Sequence, residues 1–219
     1  MAVKIPIKKD RKGWEQMASD FSIARRLSCF PHFVVPSLVC KVEKKGESVS
    51  AFVQPLAPLG NFNDWMASQS LLEGPDEDQL RLIFKDLAFA LKIVHEELKE
   101  VLFGDVKPSN VLLFTESDGN ISAKISDARF LATDFVSPTK LKLACSPREL
   151  QQQAEQSSHA DLKFTKYSNV YSLGKLLSFF WQHFKESVPY KWTRIIESCC
   201  KKNPPISLDE LLQLLQDEN

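Results

Sequence analysis

Nothing in this sequence supports a disulfide framework, a bilayer span or a polyanion-binding surface. The five cysteines, Cys29, Cys40, Cys145, Cys199 and Cys200, are odd in number and form no CxxC pair. Neither paired bridges nor a zinc site is indicated, and a reducing compartment is expected. No apolar run approaches the roughly 18 residues of a membrane helix, and no charged start leads into an apolar stretch, so neither a span nor a signal peptide is expected. Lys plus Arg and Asp plus Glu both total 28. That balance offers no basic field for nucleic acid and no basic face for an anionic membrane. These absences predict a soluble, cytoplasmic chain whose partners are recognised by a local site. With 219 residues, 43% of them hydrophobic, there is material for one substantial domain or two small lobes sharing a cleft.

The stretch 103–127, FGDVKPSNVLLFTESDGNISAKISD, carries the densest chemistry. Residues 111–114 and 121–125 are β-prone runs on either side of Thr-Glu-Ser-Asp-Gly-Asn, and Asp-Gly between apolar runs is a strong hairpin signal. Folding that hairpin brings Asn110 beside Asp127, with Asp105 and Lys107 in the loop just before. Two oxygen donors at adjacent strand ends suit a hard cation such as Mg²⁺ that also holds a phosphate.

The rest of the chain reads as a frame around this stretch. Trp14, Met17, Phe21, Ala24 and Leu27 recur at helical spacing over 14–27. Residues 34–43 and 48–54 form a second hairpin about Lys44-Lys45-Gly46-Glu47. A short helix spans 62–66, and acids at 76–78 open a longer one whose stripe is Leu80, Ile83, Phe84, Leu87, Leu91, Val94 and Leu98. His95, on the edge of that stripe, suits either a metal or acid–base role or a hydrogen-bonded place in the core. Residues 151–160 are polar loop or frayed helix. Residues 168–184 are apolar nearly all round and belong in the interior. Helices over 192–200 and 207–216 follow, the last opened by a Ser207/Glu210 capping box, with Cys199 and Cys200 as packed thiols.

The 103–127 stretch resembles the protein kinase catalytic loop. The family's HRDLKxxN signature is matched at Asp105, Lys107 and Asn110, and Asp127 stands as the aspartate of a DFG-like turn. The resemblance implies an α+β, kinase-like, two-lobed fold, with a truncated small β lobe at 1–56 and a mainly helical large lobe at 57–219. It implies ATP and Mg²⁺ as cofactors and a protein substrate. Asp105 would accept the proton of the substrate hydroxyl, Lys107 would neutralise the transferring phosphoryl group, and Asn110 and Asp127 would hold metal. MAVKIP resembles the family's VAIK strand, making Lys4 the partner of the α and β phosphates and Ala2 the roof of the adenine. Asp20, or Glu15 a turn earlier, would pair with that lysine. Pro55 has no N–H, so adenine would be read by the backbone of Gln54 and Leu56, behind a Val53 gatekeeper and above a floor at Leu112.

The chain also departs from the family. Phe103 and Gly104 replace the histidine and arginine of HRD, and Ala128 and Arg129 replace the Phe and Gly of DFG. Phe103 is expected to fill the volume vacated at Ala128. Asn169 replaces the aspartate that opens the buried helix, residues 146–149 only approximate APE, and Ser137 and Thr139 offer phosphorylatable hydroxyls. The family's glycine-rich turn comes before the lysine strand, and here the sequence opens at that strand. The lid is supplied differently, the domain is reduced, or the true start lies upstream. Three classes follow from the resemblance. Lys107 favours a Ser/Thr protein kinase. Gly104-Asp105 suggests a small-molecule phosphotransferase, against which Lys107-Pro108 argues. The altered DFG and missing turn suggest a pseudokinase that binds a partner protein.

Overall fold

The computed structural model describes residues 1–4, 21–22, 25–44, 46–69, 76–98, 101–102, 106–126, 131–132, 166–184, 188–201 and 205–216. Helix and sheet are mixed, in an α+β arrangement. Strands β1 (Ala2–Lys4), β2 (Leu38–Lys44) and β3 (Glu47–Gln54) form an antiparallel sheet in the order β1-β3-β2. Lys44 pairs with Glu47, so the turn foreseen at 44–47 is the tight connection between β2 and β3.

The expected strand over 34–43 begins later, at Leu38. Pro36 has no N–H to give a sheet. Before it the Val34 amide reaches the Ile125 carbonyl at 2.9 Å, away from this sheet, and only after it does the chain join β3, through the Ser37 amide on the Val53 carbonyl at 2.8 Å. Of the helix expected over 14–27, Phe21, Ser22, Arg25 and Arg26 are helical. Phe21 stacks on Phe52 of β3 at 5.4 Å between ring centres. Glu15 and Asp20 lie outside the described residues.

Helix α1 (Phe62–Ser68) is opened by Asn61, whose side chain accepts from the Asn63 and Asp64 amides while Asp64 accepts the Asn61 amide. This reciprocal cap satisfies backbone donors that a helix start leaves open. In α2 (Glu77–Glu96), Asp76 caps the Gln79 amide at 3.0 Å, and Leu80, Ile83, Phe84, Leu87, Leu91 and Val94 are buried, as their spacing predicts. Helices α3 (Lys166–Phe184), α4 (Tyr190–Cys200) and α5 (Leu208–Gln216) complete the helical part. The Ser207/Glu210 capping box forms: the Glu210 amide donates to Ser207 Oγ at 3.2 Å, and the Ser207 amide donates to Glu210 Oε2 at 2.8 Å. None of the helices described is long and apolar enough to cross a membrane.

Aromatic rings dominate the helical core. Phe62, Trp65, Phe180 and Phe184 interlock with ring centres 4.9 to 6.0 Å apart, and Trp181 faces Trp192 at 6.3 Å. Trp192 keeps its polar end satisfied by donating to Glu77 Oε2 at 2.7 Å. The buried Trp181 N–H has no hydrogen-bond acceptor among the described residues. Such an omission costs about 1–3 kcal/mol, against the large apolar area that the indole removes from water.

Helices α3 and α4 approach closely at Gly174. A methyl group built there would stand 2.5 Å from Cys199 Cβ and 2.6 Å from Cys200 Sγ. The glycine is thus required by packing, which buries Cys199 and half-buries Cys200. Burial pushes the Cys200 thiol up to about 11 and Cys199 higher still, while Cys200 donates to the Tyr171 carbonyl at 3.7 Å. Gly174→Ala should destabilise the fold by about 1–3 kcal/mol through overpacking, despite the better helix propensity of alanine. Urea unfolding checks this. Adding Cys200→Ala should recover only part of the loss, because Cys199 Cβ remains in the way.

Candidate functional site

Within the described part of this stretch, residues 106–126, the expected hairpin forms. Strands β5 (Val111–Thr115) and β6 (Ile121–Ile125) pair antiparallel, from Val111↔Ile125 to Thr115↔Ile121. The turn needs a glycine: Gly119 has φ +85°, a left-handed conformation that other residues adopt at a cost. Asp118 steadies it by accepting the Asn120 amide at 3.0 Å. At the open end, Pro108–Asn110 form a 3₁₀ turn, closed by the Asn110 amide on the Lys107 carbonyl at 2.9 Å. Proline suits its first position, where an N–H has no helical partner. Ser126 then donates twice to the Asn110 carbonyl, through its amide at 2.7 Å and its hydroxyl at 2.9 Å. The mouth of the hairpin is therefore pinned shut at Asn110, which is only 6% exposed.

Neither outer edge of the hairpin is open. On the β5 side, the Leu113 amide donates to the Gly60 carbonyl at 3.0 Å, and Asn61 bridges Leu112. On the β6 side, Phe33 bridges Ile125 in parallel, and the Ile125 amide reaches the His32 carbonyl at 2.9 Å. Further along β6, the Ala123 amide donates to Asp86 Oδ2 and the Ile121 amide to Gln79 Oε1, each at 2.8 Å. Gln79 and Asp86 thus take the place of a neighbouring strand. Sequence patterning assigns both to the polar face of an amphipathic helix and gives no sign of this role.

The residues singled out in the sequence fall into three groups. Asn110 and Lys107 sit at the pinned mouth, with Lys107 as the residue that opens the 3₁₀ turn. Ala2 and Gln54 are opposite one another in the sheet, and Lys4 is opposite Phe52; Leu56 is exposed and Leu112 half-buried. Residues 55–60 connect Gln54 to Asn61, which bridges Leu112. Asp20, Asp105 and Asp127 lie outside the described residues, as do Phe103, Gly104, Ala128, Arg129, Ser137 and Thr139. The lead to Asp105 is β4 (Val101–Leu102), paired antiparallel with β7 (Leu131–Ala132).

Two titratable groups support this region. Burial pushes the Asp86 carboxyl above its usual range, opposed by the Ala123 N–H and by His32, whose Nδ1 is 3.8 Å from Asp86 Oδ1. His95 is half-buried and lies 2.9 Å through Nε2 from Asn169 Oδ1. Burial holds its pKa below the usual histidine value, against the opposing pull of the Asn169 bond. His95 is thus a neutral donor in a structural hydrogen bond, the second of the two roles the sequence allowed. A cleft of about 360 Å³ beside it is lined by Lys166, Tyr167, Ile206, Ser207 and Glu210, away from the hairpin mouth. Among the described residues, no three His, Cys, Asp or Glu side chains come together as a metal-binding group.

No known family model matches this chain. Over 127 residues, 58% of its length, it is 31% identical to a receptor-like serine/threonine-protein kinase of Arabidopsis thaliana. Over 122 residues, 55% of its length, it is 30% identical to an L-type lectin-domain containing receptor kinase of the same plant. The chain spans only 18% and 17% of the length of these two relatives. The similarity is partial and points to a distant, kinase-like relationship.

The His95 environment predicts a pH dependence. A histidine whose folded pKa lies below its unfolded value contributes stability above the unfolded pKa, and loses it as pH falls through that value towards the folded one. Stability should therefore fall as pH drops below about 6.5. His95→Gln, which keeps an N–H donor within reach of Asn169 but does not titrate, should show a shallower loss between pH 7.5 and 5. Urea midpoints of both proteins across that range check it; parallel curves would exclude His95 as the source.

Proposed function

We propose that this chain is a kinase-like phosphotransferase that moves the γ-phosphoryl group of ATP to a serine or threonine hydroxyl of a protein. In this reading, residues 1–56 are a reduced small lobe and residues 57–219 the large lobe of a two-lobed fold. The observation that carries it is the pinned hairpin mouth. Ser126 donates twice to the Asn110 carbonyl, and Asp127 follows Ser126 directly in sequence. An amide oxygen and a carboxylate one residue from a rigid closure suit a hard divalent cation. The partial likeness to plant receptor kinases supports the same class.

The roles follow from position and chemistry. Asp105 takes the proton from the acceptor hydroxyl, which needs a base within hydrogen-bond reach of that group. Lys107, two residues on and at the start of the 3₁₀ turn, offsets negative charge on the group in transfer. Asn110 and Asp127 hold Mg²⁺, which when bound supplies neutralisation of charge on the phosphates. Lys4 holds the α and β phosphates, paired with Asp20. The adenine lies between Ala2 and Leu112 and is read by the backbone of Gln54 and Leu56. The pairing of Ala2 with Gln54, and the bridge from Asn61 to Leu112, agree with that arrangement. A cytoplasmic setting belongs to the same proposal and suits the free thiols Cys29, Cys40, Cys199 and Cys200.

A second reading, a pseudokinase that binds a partner protein, is favoured by Ala128 and Arg129 in place of the DFG phenylalanine and glycine. Nucleotide titration separates the two. Mg²⁺·ATP at a hundred times its dissociation constant should stabilise the protein by about 2.7 kcal/mol, with a smaller shift for ATP alone. Asp105→Asn should keep that shift while abolishing phosphoryl transfer, because the base meets the acceptor and not the nucleotide. Asp127→Asn should lose the Mg²⁺-dependent part. No thermal shift at millimolar Mg²⁺·ATP would leave the pseudokinase reading standing, and equal labelling by wild type and Asp105→Asn would expose a contaminating activity.

A further inference from the structure

The geometry points to Asp86 as a positioning residue that sets where β6 ends and therefore where the metal-holding mouth of the hairpin lies; this rests on the function proposed above. Three amides face outward from β6, at Ile121, Ala123 and Ile125. Each has a different acceptor: Gln79 Oε1, Asp86 Oδ2 and the His32 carbonyl. Gln79 and Asp86 are seven residues apart on α2, two helical turns, and so share one face of it.

Asp86 is the middle acceptor and the one with a second task. Its other oxygen faces His32 Nδ1 at 3.8 Å, and the His32 ring stacks on Phe89, nearly one turn further along α2, at 6.1 Å between ring centres. Residues 32–34 are the segment that bridges β6 next to Ile125. One carboxylate therefore joins α2, β6 and the incoming chain at the mouth. A site that needed only an acceptor could use an uncharged amide, as position 79 does. Burying a carboxylate costs more, and burial does raise the pKa of this one. An anion gains what a single amide cannot: its two oxygens meet the Ala123 N–H and the His32 ring at once. Beyond Ile125 comes Ser126, pinned to Asn110, and then Asp127. Any slip of β6 is carried into the metal ligands, where about 1 Å of misplacement can cost about a hundredfold in rate.

The test uses the full chain as wild type, Asp86→Asn, Asp86→Leu and Asp86→Glu. Amide exchange at Ala123 and Ile125 is measured together with calorimetric affinities for ATP, with and without Mg²⁺. Asp86→Asn keeps an acceptor for Ala123 but loses the second oxygen facing His32, so Ala123 protection should stay close to wild type while Mg²⁺·ATP affinity falls between wild type and the leucine variant. Asp86→Leu should expose the Ala123 amide to exchange and weaken Mg²⁺·ATP about tenfold, with metal-free ATP affinity unchanged. That split is one a purely structural brace would not produce. Should the leucine variant not fold, Asp86→Glu decides, since it keeps charge and acceptor but shifts them by about 1.5 Å, one C–C bond; a selective loss of Mg²⁺·ATP affinity supports the proposal. Wild-type Mg²⁺·ATP affinity in the leucine variant, or in the glutamate variant where it must decide, overturns the positioning role and leaves the function intact. Absence of Mg²⁺·ATP binding by wild type overturns the function and this proposal with it.

Discussion

A two-stranded hairpin standing alone in water is marginal at best, and the centre of this molecule is one such hairpin made stable by its neighbours. Every amide along the outer edge of β6 has an acceptor. Leaving such a donor buried and unmet costs about 1–3 kcal/mol, so three of them would erase much of the stability of a chain this size. The β6 acceptors come from the segment at 32–34 and from the polar face of α2, while the segment at 59–61 serves β5 on the other edge. Meeting the needs of one hairpin thus fixes how the first sheet, its connections and the helices sit around it.

The helical part provides the rigid base for that arrangement. Helix α2 turns its apolar stripe to α3 and α5 and two of its polar residues to β6. Fully burying a side chain of the size of Leu or Phe is worth about 1.5–3 kcal/mol, and Leu80, Ile83, Phe84, Leu87 and Leu91 are all at 1% exposure or less. Against this apolar anchorage, the amide of Gln79 and carboxylate of Asp86 are held in one place and can serve as acceptors of fixed geometry. A Lys92 to Asp209 ion pair ties the other flank of the same helix to α5; being exposed, it adds little to stability.

Local order was legible in the sequence and long-range pairing was not. The β5–β6 hairpin was announced by Asp118-Gly119 between apolar runs, α2 by Asp76 and its stripe, and α5 by Ser207 with Glu210, because each signal lies within a few residues of the element it sets. The strand expected from Val34 misled, since an apolar run says nothing of which partner it will take. Val34 spends its amide on Ile125, some ninety positions away, and Pro36 delays the sheet to Leu38. Gln79 and Asp86 were invisible for a related reason. On a helical wheel they are solvent-facing polar residues, and only the approach of β6 turns them into its edge. At the hairpin mouth, the resemblance singles out Asn110 and Lys107, whereas the two hydrogen bonds of Ser126 that close it depend on the register of the whole hairpin.

Asn169, where the resemblance to protein kinases implies an aspartate, makes physical sense in the same terms. Asn169 is almost fully buried, at 1% exposure, and accepts from His95. A carboxylate in that position would have to be paired or richly hydrogen-bonded to offset its desolvation. His95 can offer such a group a neutral N–H, but burial opposes the protonation that would add a positive charge. The pair is therefore consistent as two neutral groups: an imidazole held as the Nε2–H tautomer by an amide oxygen, and an amide held by the imidazole. The His95–Asn169 bond thus joins α2 to α3 without requiring a charge on either partner.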